Sequence, residues 1–186
     1  MVITLTYIKE GIRVKLRYFN NDDLSDLYDY AKNKNVSEKA GWKYHESLEE
    51  SKEVLKKFIQ QDELAIEYNN KVIGSIGHFN PIKEDLEGIE IAYSLHEDYH
   101  KLGLMTEALK LASEYLFDRY KTNSIYCCCY KDNIGSNKVC QKVGFEYLCD
   151  YLYGATYNNE KHMVNYYILR KEDFLWIWEK RKLMAK

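Results

Sequence analysis

The stretch YHKLGLMTEAL, residues 99 to 109, turns from loop to helix at Gly103 without a Ser, Asp or Asn where a cap should sit. The helix body is set by Met105, Ala108, Leu109, Ala112, Tyr115 and Leu116, which repeat at core-facing helical spacing. A helix start leaves about four backbone N–H groups unpaired and carries roughly half a positive charge. The amides of Lys101, Leu102, Gly103, Leu104, Met105 and Thr106 are therefore open to water or to an anion. Upstream, GIEIAYSL holds one carboxylate, Glu90, which interrupts the apolar series Ile89, Ile91, Tyr93, Leu95. Strand alternation turns Glu90 to the opposite face, with Ala92 and Ser94. Downstream, Asn133 can cap a short helix whose first turn contains Ser136. Metal chemistry has little support. Cys127, Cys128, Cys129, Cys140 and Cys149 lack paired CxxC or Cys/His spacing, and the five histidines are scattered, so the cysteines read as small buried residues in a reducing compartment.

The elements that must position these residues follow from periodicity. Residues 12 to 19, IRVKLRYF, read as a strand, and Asn21 is expected to cap a helix carrying Leu24, Leu27, Tyr28 and Ala31. Ser47 and Glu50 form a capping box ahead of Val54, Leu55, Phe58 and Ile59. Asn69-Asn70 sits between two apolar-rich runs as a tight-hairpin signal, and Gly88 to Leu95 adds a third strand. After the Gly103 helix, NSIYCCCY reads as a strand buried on both faces. The helix carrying Val139, Cys140 and Val143 must stop at Gly144, and two strands follow around a turn at Asn158-Asn159. The tail KEDFLWIWEKRKLMAK reads as a helix. The result is an α+β, mixed α/β chain of about seven strands and four helices, plus a C-terminal helix.

With 186 residues, 46% of them hydrophobic and 30% charged, the chain suits one domain with a real core. A net charge of −2 gives no broad basic face, so neither nucleic acid nor an anionic membrane is an expected partner. The opening MVITLTYIKEGIRVKLRYF has neither a signal-peptide run nor a membrane span, which makes the cytoplasm the expected compartment.

GIEIAYSLHEDYHKLGLMTEA, followed by DNIGSNKVCQKVGF, resembles two motifs of the GNAT superfamily of acetyl-CoA-dependent N-acetyltransferases. Within it the pattern is most similar to the ribosomal-protein N-terminal alanine acetyltransferase branch. The resemblance spans about residues 10 to 170, leaving 171 to 186 as a helical tail on a single domain, and it implies a twisted, mainly antiparallel sheet. It also implies that the uncapped helix start wraps the pyrophosphate of acetyl-CoA, the cosubstrate, with no metal. The family's Gln/Arg-x-x-Gly-x-Gly/Ala pattern falls on Asp98, Lys101 and Gly103, and only Gly103 agrees. Asp98 must turn away from the phosphates, whereas Lys101 can add a charge-assisted contact.

By the same resemblance Glu90 is the expected general base, with a structural carboxylate as the alternative. The backbone amide of Leu95 meets the carbonyl oxygen, and Asn133 contacts the pantetheine arm. Ser136 protonates the departing thiolate, with Cys140 the weaker candidate because it shares a core-facing side with Val139 and Val143. The acceptor is a primary amine. A protein N-terminus, with a pKa near 8 against about 10.4 for lysine, is the easier one. Polyamines, amino acids and aminoglycosides are alternatives, to which the acidic run Glu84, Asp85, Glu87 and Glu90 lends some attraction. A coenzyme-A-binding module without turnover is the alternative of another class. Five consecutive apolar residues, Phe174 to Trp178, call for cover by a second subunit or by the first helix.

Overall fold

The computed structural model describes residues 6–154, 158 and 160–184, with side chains through residue 177. The chain order is β1 (Lys9–Glu10), β2 (Lys15–Tyr18), α1 (Leu24–Ala31), α2 (Lys34–Lys39), α3 (Leu48–Gln60), β3 (Leu64–Tyr68) and β4 (Lys71–Phe79). It continues with β5 (Ile89–Leu95), α4 (Leu104–Tyr120), β6 (Ser124–Tyr130), α5 (Ile134–Val143), β7 (Glu146–Gly154), β8 (Lys161–Arg170) and α6 (Lys171–Met184). The eight strands form one sheet in the order β1-β2-β3-β4-β5-β6-β8-β7, antiparallel except between β5 and β6.

Three local outcomes differ from the sequence reading. Asn21 does not cap α1: a short 3-10 turn, Asn21–Asp23, leads into the helix and is itself capped by Asn20, whose side chain accepts from the Asp22 amide while the Asp23 carboxylate accepts from the Asn20 amide, and α1 follows Asp23 with no side-chain cap hydrogen bond of its own. Arg17 settles the choice, because its guanidinium grips Asp23 with two hydrogen bonds of 2.8 Å and Glu67 with one of 2.7 Å, fixing the helix start to β2 and β3. Helix α2 and strand β1 are additional. α2 is short and mostly polar, burying only Val36 and Ser37, so it carries no apolar stripe to read. The turn expected at Asn158-Asn159 lies partly outside the described residues. The Asn69-Asn70 hairpin is present, with both residues at positive φ (50° and 61°).

One face of the sheet is covered by α1 to α3, through a cluster including Phe19, Leu27, Tyr30, Val36 and Leu55. The other face packs on α4 and α5, with Leu104, Leu109, Leu116, Cys140 and Val143 fully or almost fully buried. From α6, Phe174 packs on Phe117 with ring centroids 5.6 Å apart, while Leu175 and Trp176 remain exposed and the side chain of Trp178 lies outside the described residues. No described helix is long and apolar enough to cross a membrane.

The feature that positions the site is the parallel seam. β5 and β6 pair only at Ile89–Ile125, Glu90–Tyr126 and Ile91–Cys127. Beyond that, β5 stays with β4 as far as Leu95 and β6 stays with β8 as far as Tyr130, so the two strands diverge and open the sheet. Close approach on the β4 side requires Gly74, since a Cβ there would lie 2.3 Å from the Ser94 carbonyl oxygen.

Candidate active site

A cavity of about 660 Å³ occupies this opening. Its walls come from β5 (Glu90 to Leu95, Ile91 excepted), β6 (Cys127, Cys128, Tyr130), the starts of α4 and α5, and α2 (Asn35, Val36, Lys39). It reaches both faces of the sheet, because Glu90, Ala92 and Ser94 point to the α2 side and Tyr93 and Leu95 to the α4–α5 side.

At one end is the start of α4. Gly103 is its cap residue at φ 78°, with no side-chain cap hydrogen bond, and Lys101 is also left-handed at φ 63°. Lys101, Gly103, Leu104, Met105 and Thr106 line the cavity. Leu102 does not: its side chain is exposed, and its carbonyl accepts from Arg13 Nη1 at 2.8 Å. The Asp98 side chain is 79% exposed and absent from the cavity wall, which removes the expected conflict with a bound phosphate. Lys138 and Lys142 of α5 add cationic groups to the wall of the same cavity, a contribution the sequence reading missed. Uncapped amides and lysines together fit a phosphorylated group.

At the other end Glu90 is 1% exposed. Its Oε2 accepts from the Ile82 amide at 2.9 Å and from the Tyr166 hydroxyl, while Oε1 has no hydrogen-bond partner among the described residues. Burial raises the carboxyl's pKa, and the donors from Tyr166 and Ile82 pull back only in part. Glu84, Asp85 and Glu87 are exposed, so Glu90 is separate from that acidic loop.

Between the ends, Leu95 lines the wall and its carbonyl accepts from His100 Nε2 at 2.8 Å. Asn133 caps α5, accepting from the Ser136 amide at 3.2 Å, and also borders the cavity. Ser136 is on the wall too, but its hydroxyl donates to Cys129 Sγ at 3.0 Å. The Tyr93 hydroxyl lies 2.8 Å from Ser136 Oγ and 3.5 Å from Cys140 Sγ. Burial pushes the Tyr93 phenol well above its usual range, so it keeps its proton and acts as a hydrogen-bond donor. Sequence reading treated Tyr93 as one more residue of the apolar alternation. Its parity in β5 gave the correct face but not the reach of its hydroxyl. Cys140 is fully buried in the core and absent from the wall.

Residues 13–146 match the family model described as an acetyltransferase (GNAT) domain. The probable N-acetyltransferase YjcK of Bacillus subtilis (strain 168) is 32% identical over 77 residues, which is 41% of this chain and 42% of that relative. Among solved structures, a GNAT-family acetyltransferase from Bacillus anthracis superposes with a TM-score of 0.77 at 20% identity, covering 90% of this chain and 99% of that one. RimL, a ribosomal L7/L12 α-N-protein acetyltransferase in complex with coenzyme A, gives 0.74 at 22% identity, covering 89% and 98%. The matched domain spans the diverging β5–β6 seam, the uncapped α4 and most of the cavity wall, and the chain belongs to the GNAT acetyltransferase family.

Proposed function

We propose that the chain transfers an acetyl group from acetyl-CoA to a primary amine, with a protein N-terminal α-amine as acceptor, by direct attack within a ternary complex. The observation that carries the reading is one cavity lined both by the uncapped start of α4 and by Glu90, a buried carboxylate whose pKa is raised. Acetyl-CoA supplies the activated thioester. The α4 amides and Lys101 hold its phosphates, and Asn133 borders its pantetheine path. Glu90 takes the ammonium proton on Oε1, generating the nucleophilic amine. The Leu95 amide stabilises the carbonyl oxygen as the new C–N bond forms. Ser136, backed by Tyr93, returns a proton to the sulfur as the C–S bond breaks.

The α-amine is favoured because its neutral fraction at neutral pH exceeds that of a lysine by roughly two orders of magnitude. The ribosomal L7/L12 α-N-protein acetyltransferase among the structural neighbours supports a protein acceptor. Thiol release from acetyl-CoA, measured with N-terminal peptides, ε-amine peptides, polyamines and aminoglycosides, tests the proposal. The highest kcat/KM is expected with a peptide bearing a small N-terminal residue. A clear preference for a polyamine or aminoglycoside reassigns the acceptor, and no thiol release with any amine leaves a binding module.

A further inference from the structure

Cys127 and Cys129 share one face of β6, and Cys140 of α5 packs across from them. Linear spacing conceals the grouping, because two ligands are two residues apart on a strand and the third comes from the next helix. The three sulfurs lie within 4.8 Å of one another, with Cys129 and Cys140 at 3.5 Å. All three residues are at most 3% exposed, and none is in a disulfide.

Thiolate bonds to a zinc-like ion are about 2.3 Å long, which sets ligand sulfurs roughly 4 Å apart. The trio, with one pair at 3.5 Å and all within 4.8 Å, is compatible with that spacing. Three sulfurs with no carboxylate among them select soft ions over magnesium or calcium. Hydroxyl oxygens complete the surroundings: Ser136 Oγ is 3.0 Å from Cys129 Sγ and Tyr93 Oη is 3.5 Å from Cys140 Sγ. Either can serve as a fourth ligand or donate to a coordinated sulfur. Cys127 lines the cofactor cavity, which gives an ion its route in.

We propose that Cys127, Cys129 and Cys140 form a binding site for one soft, thiophilic metal ion, reached through the coenzyme A cavity. Each thiol that ligates the ion releases its proton to solvent, and no electron is transferred. The ion converts the sulfur that now accepts the Ser136 hydroxyl from a thiol into a metal-bound thiolate. Binding therefore alters the proposed proton donor without blocking the α4 phosphate end.

Cadmium is the probe. The reduced full-length chain is titrated with Cd²⁺ and passed through gel filtration, and retained metal is counted alongside the ultraviolet thiolate-to-cadmium absorption. One equivalent is expected. Cys129→Ser and Cys140→Ser should each abolish most of the absorption, whereas a Cys128→Ser/Cys149→Ser double variant should keep it. Prior saturation with coenzyme A should slow loading. Should the core variants fold poorly, the cadmium NMR shift of the loaded wild type decides, since it reports how many sulfurs bind the ion. Folded wild type that retains no cadmium, a shift reporting fewer than three sulfurs, or absorption that disappears in the Cys128/Cys149 variant overturns the proposal.

Discussion

Two opposed influences meet on the Glu90 carboxylate. Burial raises its pKa, while the Tyr166 hydroxyl and the Ile82 amide stabilise the anion; burial is the larger, so the net shift is upward. Tyr166→Phe deletes a donor to the charged form and should move the acid limb of the kcat profile to higher pH, with KM for acetyl-CoA nearly unchanged. A limb that stays in place would show that Glu90 does not titrate in the rate. The facing of Glu90 was legible in the sequence because parity along a strand is a local property. Tyr166 was not, since it lies 76 residues away and meets Glu90 only through the β5–β6–β8 arrangement. The Ser136–Tyr93–Cys129 contacts were hidden for the same reason: they depend on how α5 settles on the sheet.

The α4 start shows how an element can be legible while its neighbours are not. Its apolar stripe and missing cap are written within twenty residues, and the observed helix begins one residue after Gly103 without a side-chain cap. Helix α2, by contrast, holds to the fold through a buried Val36, a buried Ser37 whose hydroxyl donates to the Ala31 carbonyl, and an Asn33 cap, too little to form a pattern, yet it supplies cavity wall through Asn35, Val36 and Lys39. Lys101 is the point where the element carries strain: a non-glycine residue at φ 63° costs about 1 kcal/mol relative to glycine. Lys101→Gly should therefore raise stability by about that amount in thermal unfolding while weakening coenzyme A binding several-fold at low salt. Lys101→Met should weaken binding equally with no gain in stability. Tighter binding by the glycine variant would mean that the ammonium group contributes nothing to phosphate affinity.

Across the whole molecule, the mixed sheet and its opening come from one topological choice, the parallel β5–β6 seam in an otherwise antiparallel array. The succession of strand, helix and strand in β5, α4 and β6 is what permits such a crossover, but the length of the seam and the divergence after Ile91 are properties of packing on both faces. The same packing leaves a second carboxylate unsettled. Burial pushes Glu63 up to about 7 from 4.5. An acid whose folded pKa is raised binds more protons folded than unfolded between those values, so its effect on stability worsens as pH rises through that window. Glu63→Gln should match wild type near pH 4.5 and exceed it by about 2 kcal/mol above pH 7, after allowance for partial exposure, in denaturant melts. His45 and His78, lowered by burial, slope the opposite way in both proteins and cancel in that difference. A constant gap across pH would exclude Glu63 as the source. The most direct test of the catalytic account is the pH dependence of thiol release from acetyl-CoA for wild type and Glu90→Gln, with the best peptide acceptor. The account predicts a loss of roughly a hundredfold or more at neutral pH that shrinks as the amine deprotonates in alkaline solution. A variant that keeps the wild-type rate, or falls by the same factor at every pH, would contradict it.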